Sequence, residues 1–379
     1  MSRYAIAGLG VTAQGVLPGT SAEQLAWDAV ELALADAGLA RGAVDGYVFQ
    51  PGFGENTTGL AAARAALGAN VTLQVNSSGA TAILAIATAI GLIASGAADH
   101  VMCVHATNAR SQAVTVGEGD VNEYATVGLF SPGARMALGA QRWFDTYGRG
   151  SADLAEIAVA LRANAVPRID AYRHAQPITV DDHQASRFIV RPLRLYDYCL
   201  VTDGAIAFVV TTLERARDLA RRPVAVLGLG ASHEVALARA YGRAPGIAGA
   251  DFDPAAARTR AFAAAGLGID DIDVFQFYDA FTILVAQQIE AYGLCGPGEA
   301  AEWIRAGNFR FDSARPCNTS GTLHSWGYVQ GFTHVAEGVR QLRGEGGATQ
   351  VAAAETALVT NIGLTGAGQA HAALILGRV

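Results

Sequence analysis

Short apolar runs alternate with longer helical patterns through most of this chain, and the alternation occurs twice. Met1 to Gly10 reads as a strand-like start and not as a signal peptide. Ser21, with Gln24 three residues on, is a capping box opening a helix that ends in Ala35-Asp36-Ala37-Gly38-Leu39. Val44-Asp45-Gly46-Tyr47-Val48-Phe49 then enters a strand. Asp253-Pro254 starts a second such helix, with proline expected at its first position. That helix ends in Ala263-Ala264-Ala265-Gly266-Leu267 and leads into Ile272-Asp273-Val274-Phe275-Gln276-Phe277 at matching spacing.

A second unit follows each copy. Val75-Asn76-Ser77-Ser78-Gly79-Ala80 predicts a strand and a tight elbow before a buried helix, Thr81 to Ala94, and a strand from Val101 to Val104. In the second half Gly331 to Arg343 precedes the strand from Thr356 to Val359. Strands apolar throughout and separated by helices predict an α/β fold with mostly parallel sheets covered on both sides. Thr107 to Tyr198 breaks the pattern with Arg, aromatic and polar residues and a helix near Ser151, on which Leu154, Ile157, Ala158 and Leu161 share a face. It reads as a loop domain inserted in the first half. The core resumes at Asp203-Gly204-Ala205 and the strand Ile206 to Val210. The expected division is residues 1–225, with the insertion at about 107–198, and residues 226–379.

Composition narrows the function. The 379 residues are 51% hydrophobic and only 16% charged, which implies much buried surface and a subunit interface. A net charge of −7 with no basic cluster argues against a nucleic-acid partner. All 27 basic residues are arginine, so no Schiff-base lysine is possible. Cys103, Cys199, Cys295 and Cys317 lie too far apart for a CxxC metal site, and the eight histidines show no HExxH spacing. Ala80 to Ala98, the most apolar stretch, reads as a buried helix and not a membrane span, so the cytoplasm is the expected location.

An elbow at a helix start aims side chains and N–H groups at one point on a positive helix terminus, which suits an anionic intermediate. The duplication, the elbow and the insertion together resemble the thiolase superfamily over nearly the whole chain. The sterol-carrier-protein-X, or lipid-transfer-protein, branch is the nearest. Leu154-Ala155-Glu156-Ile157-Ala158-Val159, Thr202-Asp203-Gly204-Ala205, Tyr292-Gly293-Leu294-Cys295-Gly296-Pro297-Gly298-Glu299 and Asn318-Thr319-Ser320-Gly321 carry the resemblance. It implies a duplicated thiolase fold, two βαβαβ-type halves in five layers (α-β-α-β-α), with an inserted loop domain.

The departures from that pattern are chemical. The elbow cysteine of a thiolase is here Asn76, and its Gly-His-Pro motif reads Gly327-Tyr328-Val329. The late cysteine falls at Asn361-Ile362-Gly363, and the motif supplying an oxyanion-hole side chain reads Tyr278-Asp279-Ala280-Phe281. Cys103, Cys295 and Cys317 match none of these positions and read as buried structural thiols. Tyrosine at both Tyr278 and Tyr328 resembles the thiolase-fold aldolases of bacterial steroid side-chain degradation. That resemblance implies retro-aldol cleavage of a β-hydroxyacyl-CoA to a ring ketone and a short acyl-CoA such as propionyl-CoA. It also implies a homodimer and a small zinc-ribbon/OB-fold partner.

Retro-aldol cleavage needs a base on the β-hydroxyl, a place for the departing electron pair and an acid for the carbon. A thioester carbonyl accepts the pair as an enolate, so neither a lysine imine nor a metal or other cofactor on this chain is required; CoA enters with the substrate. Tyr278 and Tyr328 are the expected proton carriers, in either assignment. Asn76, Gly363 and His324 are the candidate oxyanion or positioning groups, with Asn76 either donating into the site or holding the elbow. A structural role is the stronger reading for His324. Arg187, Arg191 and Arg194 would suit CoA phosphates. Asp279 is expected to cap the helix that follows it. The rival readings are a non-catalytic acyl-CoA or sterol-binding subunit that scaffolds a partner, and a thiolase or Claisen enzyme. Asn76 and Tyr328 weaken the latter, and convergence of the tyrosines separates the first reading from the scaffold.

Overall fold

The computed structural model describes residues 3–51, 67–114, 128–129, 131–235, 254–365 and 368–379. The first half holds β1 (Tyr4–Val11), α1 (Ala22–Ala37), β2 (Gly46–Gln50), β3 (Val71–Gln74), α2 (Thr81–Ala94) and β4 (Val101–Thr107). The insertion carries α3 (Pro132–Tyr147), α4 (Ser151–Ala165) and the two-stranded ribbon β5 (Phe188–Val190) and β6 (Leu193–Arg194). Leu154, Ile157, Ala158 and Leu161 of α4 are all buried, as their spacing predicts. β7 (Gly204–Thr212) completes the half. The second half comprises β8 (Val224–Val235), α5 (Ala255–Ala265), β9 (Val274–Gln276), α6 (Thr282–Ala291), α7 (Gly331–Arg343), β10 (Thr356–Thr365) and β11 (Gly368–Arg378).

The repeat is visible in the backbone. The Ser21 hydroxyl accepts the N–H of Gln24 at 3.1 Å and opens α1. Gly38 and Gly266 close α1 and α5 in the left-handed conformation, at φ 71° and 67°, and a short 3-10 turn leads each chain into its next strand. Pro254 stands at the cap of α5, one residue before the position expected, and Asp253 lies outside the described residues. One further copy, a Gly-Leu-Gly in each half, extends the repeat to β1 and β8. Gly8-Leu9-Gly10 of β1 and Gly228-Leu229-Gly230 of β8 each let a helix backbone approach, because a Cβ there would strike carbonyl oxygens of α1 or α5.

Among the described residues nine strands form a sheet in the order β3-β2-β4-β7-β1-β8-β11-β10-β9. The order reads the same outward from the centre, with β1 matching β8, β7 matching β11, β4 matching β10 and β2 matching β9. A bridge from Phe275 to Cys317 stands where the second half would have its third strand. Among the described residues the two half-sheets pair through Ala5–Ala225 and Ile6–Val224. α2 and α7 lie against each other and touch strands of both halves, so they form the middle of five layers, with α1 and α5 outside.

The expectation of mostly parallel sheets needs correction. β3-β2-β4 and β9-β10 are parallel, whereas β4–β7, β7–β1, β1–β8, β8–β11 and β11–β10 are antiparallel. Strands buried on both faces are apolar in either direction, so composition does not report their sense. Among the described residues no helix is long and apolar enough to cross a membrane.

The middle layer is packed at backbone distance. A Cβ on Gly331, at the start of α7, would meet the Asn361 side chain and the Gly79 carbonyl. Gly331→Ala is expected to lower stability by roughly 1–3 kcal/mol. Gly91, on the exposed side of α2 with nothing within 4 Å of the place a Cβ would take, is the control. Gly91→Ala is expected to add up to about 1 kcal/mol. Urea denaturation of the two variants checks the opposite signs.

Candidate active site

The two elbows are built alike. Ser77 bridges to Gly79 and Val329 to Gly331, with Ser78 and Gln330 held at φ 50° and 47°. The hydroxyl of the first helical threonine accepts an N–H in each, Ser77 to Thr81 at 2.8 Å and Val329 to Thr333 at 3.2 Å. Asn76 and Tyr328 therefore occupy equivalent positions, each just ahead of an elbow.

Tyr278 follows β9 and is buried. Its N–H donates to Gln288 and Thr360, both at 3.2 Å, and its carbonyl accepts from Gln288 Nε2 at 2.8 Å. Its hydroxyl fills the space that a Cβ on Gly79 would need. Tyr328 is also buried, and its N–H donates to Thr202 Oγ1 at 2.7 Å. The two phenols lie within electrostatic reach of each other and of Cys199. Burial first, then Tyr328, Cys199 and Asp279, pushes the Tyr278 hydroxyl well above the ordinary phenol range; burial and then Cys199 do the same to Tyr328. Both rings are thus neutral in the resting site.

The other candidates divide. Gly363 on β10 lies against the Ser77 carbonyl and keeps the elbow seated. Asn76 is exposed, and its Oδ1 accepts the N–H of Ser78 at 3.2 Å, which holds the elbow and leaves the amide nitrogen to solvent. His324 is buried with no partner for Nε2. It lines a cavity of about 100 Å³ with Arg162, Leu195, Tyr198, Cys199 and Leu200. Burial lowers its pKa against the pull of Asp279 and Asp197. Arg162 is buried with no acidic partner among the described residues, donates to Ser325 Oγ at 3.0 Å and the Gln176 carbonyl at 2.9 Å, and is pushed down to about 10 by burial and Arg173. Arg187, Arg191 and Arg194 lie on or beside the β5–β6 ribbon of the insertion. The guanidinium carbons of Arg191 and Arg194 stand 4.1 and 4.0 Å from the Phe188 ring centre.

Two expectations change. Asp279 does not cap α6, whose first turn has no side-chain cap. Its buried carboxylate accepts the N–H groups of Leu323 and His324, each at 3.1 Å, from the short helix Thr322–Ser325, and Nε2 of His334 at 2.7 Å. Burial alone would raise its pKa, but the bond to His334 and the neighbouring histidines hold it below the usual carboxylate value. The cysteines expected to be buried structural thiols also divide, for Cys103 and Cys317 are buried and Cys295 is half-buried. All four are free, and burial pushes the Cys295 thiol up to about 12 and the others up as well. Sequence reasoning passes over His334, Cys199 and Arg162, because none stands in a motif and only tertiary packing brings them here. Among the described residues no group of three or more His, Cys, Asp or Glu side chains is placed to hold a metal ion.

Residues 250–378 match the family described as thiolase C-terminal domain-like. The chain is 37% identical to the 17-hydroxy-3-oxo-4-pregnene-20-carboxyl-CoA lyase of Mycobacterium tuberculosis, over 98% of each chain. It is 35% identical to the steroid side-chain-cleaving aldolase of Thermomonospora curvata, over 98% of this chain and 97% of that one. The solved Ltp2-ChsH2(DUF35) aldolase superposes with a TM-score of 0.87 at 34% identity, covering all of this chain and 98% of that one. With the duplicated fold, the paired elbows, asparagine at the thiolase cysteine position and tyrosine at the histidine position, this chain belongs to the thiolase superfamily, on its steroid side-chain aldolase branch.

Proposed function

We propose that this chain is a carbon–carbon lyase that cleaves the side chain of a steroid-type β-hydroxyacyl-CoA by retro-aldol chemistry. The observation that carries the reading is the Tyr278 hydroxyl seated against Gly79, at an elbow that holds Asn76 instead of a nucleophile, with Tyr328 of the second elbow within electrostatic reach. One tyrosine, as its minor phenolate form, takes the proton of the β-hydroxyl and becomes a phenol. The carbon–carbon bond breaks, the ring carbon becomes a ketone, and the electron pair passes to the thioester carbonyl as an enolate. The other tyrosine returns a proton to the α-carbon, releasing a short acyl-CoA such as propionyl-CoA. A buried phenol that keeps its proton suits the donor, whereas the base needs phenolate character, which a positive helix terminus beside it would favour. A purely binding subunit has no use for such a pair.

His324, with Nε2 unpartnered at the edge of the site, is our candidate donor to the thioester oxygen. Asn76 and Gly363 keep the elbow in shape. Arg187, Arg191 and Arg194, with Arg162 and Arg173 beside the cavity, have no carboxylate partner among the described residues, which favours the phosphates of CoA. No metal or cofactor on this chain enters the reading, because the thioester itself accepts the electron pair. The similarity to a solved two-protein aldolase favours a small partner. The edge strand β3, partly exposed and uncharged, favours a homodimer formed strand to strand, acting in the cytoplasm.

Light scattering of the purified protein at micromolar concentration is expected to give at least twice the mass of one chain; a clean monomer removes the dimer. Intact-protein mass spectrometry after incubation with acyl-CoA is expected to show no stable adduct, and cleavage is expected to persist in EDTA unless a zinc-bearing partner unfolds. Tyr278→Phe and Tyr328→Phe keep the ring and its packing and lose only a hydroxyl. Each is expected to fold and to lose turnover by roughly 10²–10⁴-fold, with the loss on kcat more than on KM. Steady-state cleavage assays with a panel of β-hydroxyacyl-CoAs test this, and near-full activity in both variants would sink the assignment.

A further inference from the structure

Each tyrosine of the site is anchored by a route that ends at one buried carboxylate. Asp279 is the residue after Tyr278 and is fully buried. Through the N–H groups of Leu323 and His324 it holds the short helix Thr322–Ser325, and Tyr328 follows that helix by three residues. Through its 2.7 Å bond to Nε2 it also holds His334, on the first turn of α7. The His334 ring lies 5.3 Å from the Tyr278 ring, centre to centre, and tilted by 38°. A carboxylate only accepts, so Nε2 carries the proton of this bond. Nδ1 of the same ring is buried and has no hydrogen-bond partner.

A buried carboxylate is tolerated only where its acceptor sites are filled. Here two are filled by the backbone that leads to Tyr328 and one by the ring that backs Tyr278. Neither tyrosine can shift without disturbing a bond to this one group. We propose that Asp279 and His334 are a positioning pair that sets both tyrosines, Asp279 acting on the two and His334 on Tyr278. The inference rests on the retro-aldol reading for its effect on rate, and on the contacts alone for its effect on the rings.

Asp279→Asn keeps one acceptor oxygen and loses the charge. His334→Gln keeps a donor for Asp279 and removes the ring, and serves should Asp279→Asn fail to fold. Each is combined with Tyr278→Phe and with Tyr328→Phe, and kcat and KM are measured on the whole protein with its partner. Asp279→Asn is expected to lower kcat by roughly 100-fold, as a displacement of about 1 Å at a reacting group does, with KM little changed. Its cost should shrink in both tyrosine backgrounds, whereas that of His334→Gln should shrink only in Tyr278→Phe. The Cζ resonances of ¹³C-labelled tyrosine give a readout free of activity. Both rings are expected to shift in Asp279→Asn, and Tyr278 alone in His334→Gln. Folded variants with unmoved resonances and kcat within twofold of wild type would overturn the pairing. If the resonances move as expected while both tyrosine variants keep full turnover, the positioning stands and the retro-aldol reading falls.

Discussion

Two backbone elbows meet in this fold at glycines, with the Asn361 side chain hydrogen-bonded to both of their helices, and that contact sets the positions around the site. A Cβ on Gly79 would strike the Tyr278 hydroxyl and the Ile362 carbonyl; on Gly331, Asn361 and the Gly79 carbonyl; on Gly363, the Ser77 carbonyl. The three glycines come from α2's elbow, α7's elbow and β10, one from the first half and two from the second. Closing the gap between them brings α2 and α7 together as the middle layer and presses the two half-sheets onto that layer from either side. The duplication follows from the same need, because each half supplies one elbow and the site exists only where the two face each other.

This contact also explains how the chemistry can change while the scaffold stays. Position 76 and position 328 are equivalent points on the two elbows, so each can be exchanged without altering the backbone that presents it. With asparagine at one and tyrosine at the other, the site has no thiolate to form and no base to activate one. In the proposed reading, phenols pushed above their ordinary range by burial take their place. Such groups hold protons firmly at rest and exchange them only when the substrate develops charge, the condition retro-aldol cleavage meets at its hydroxyl and at its enolate carbon.

Buried charge is confined to a few satisfied clusters. Asp279 is held by two N–H groups and His334, and Asp197 by His183, Thr282 and the N–H of Arg194. Arg343 joins Asp36 to the carbonyls of Ala7 and Arg222, and so ties α7 to the outer face of the first half. Asp197 does the equivalent for the insertion, fastening the loop carrying Arg194 to α6. Arg162 is buried beside the cavity with no acid among the described residues, and it shares the cavity wall with His324.

The repeat, the helix caps, the elbows and the inserted segment are legible in the residues, because each rests on a local rule. Ser21 caps within three residues, Gly38 and Gly266 end helices by a conformation glycine adopts cheaply, and Leu154 to Leu161 share a face at helical spacing. The absence of lysine and of an elbow cysteine excludes two chemistries before any fold is known. Strand direction is not legible, since residues buried on both faces look alike whether the neighbour runs with or against them. Asp279 reads in sequence as a local cap, yet its partners lie some forty to fifty-five residues away and only the folded chain brings them within reach. His334, Cys199 and Arg162 carry no motif for the same reason: a side chain's partners across the fold are chosen by how layers pack, while the sequence records only its neighbours along the chain.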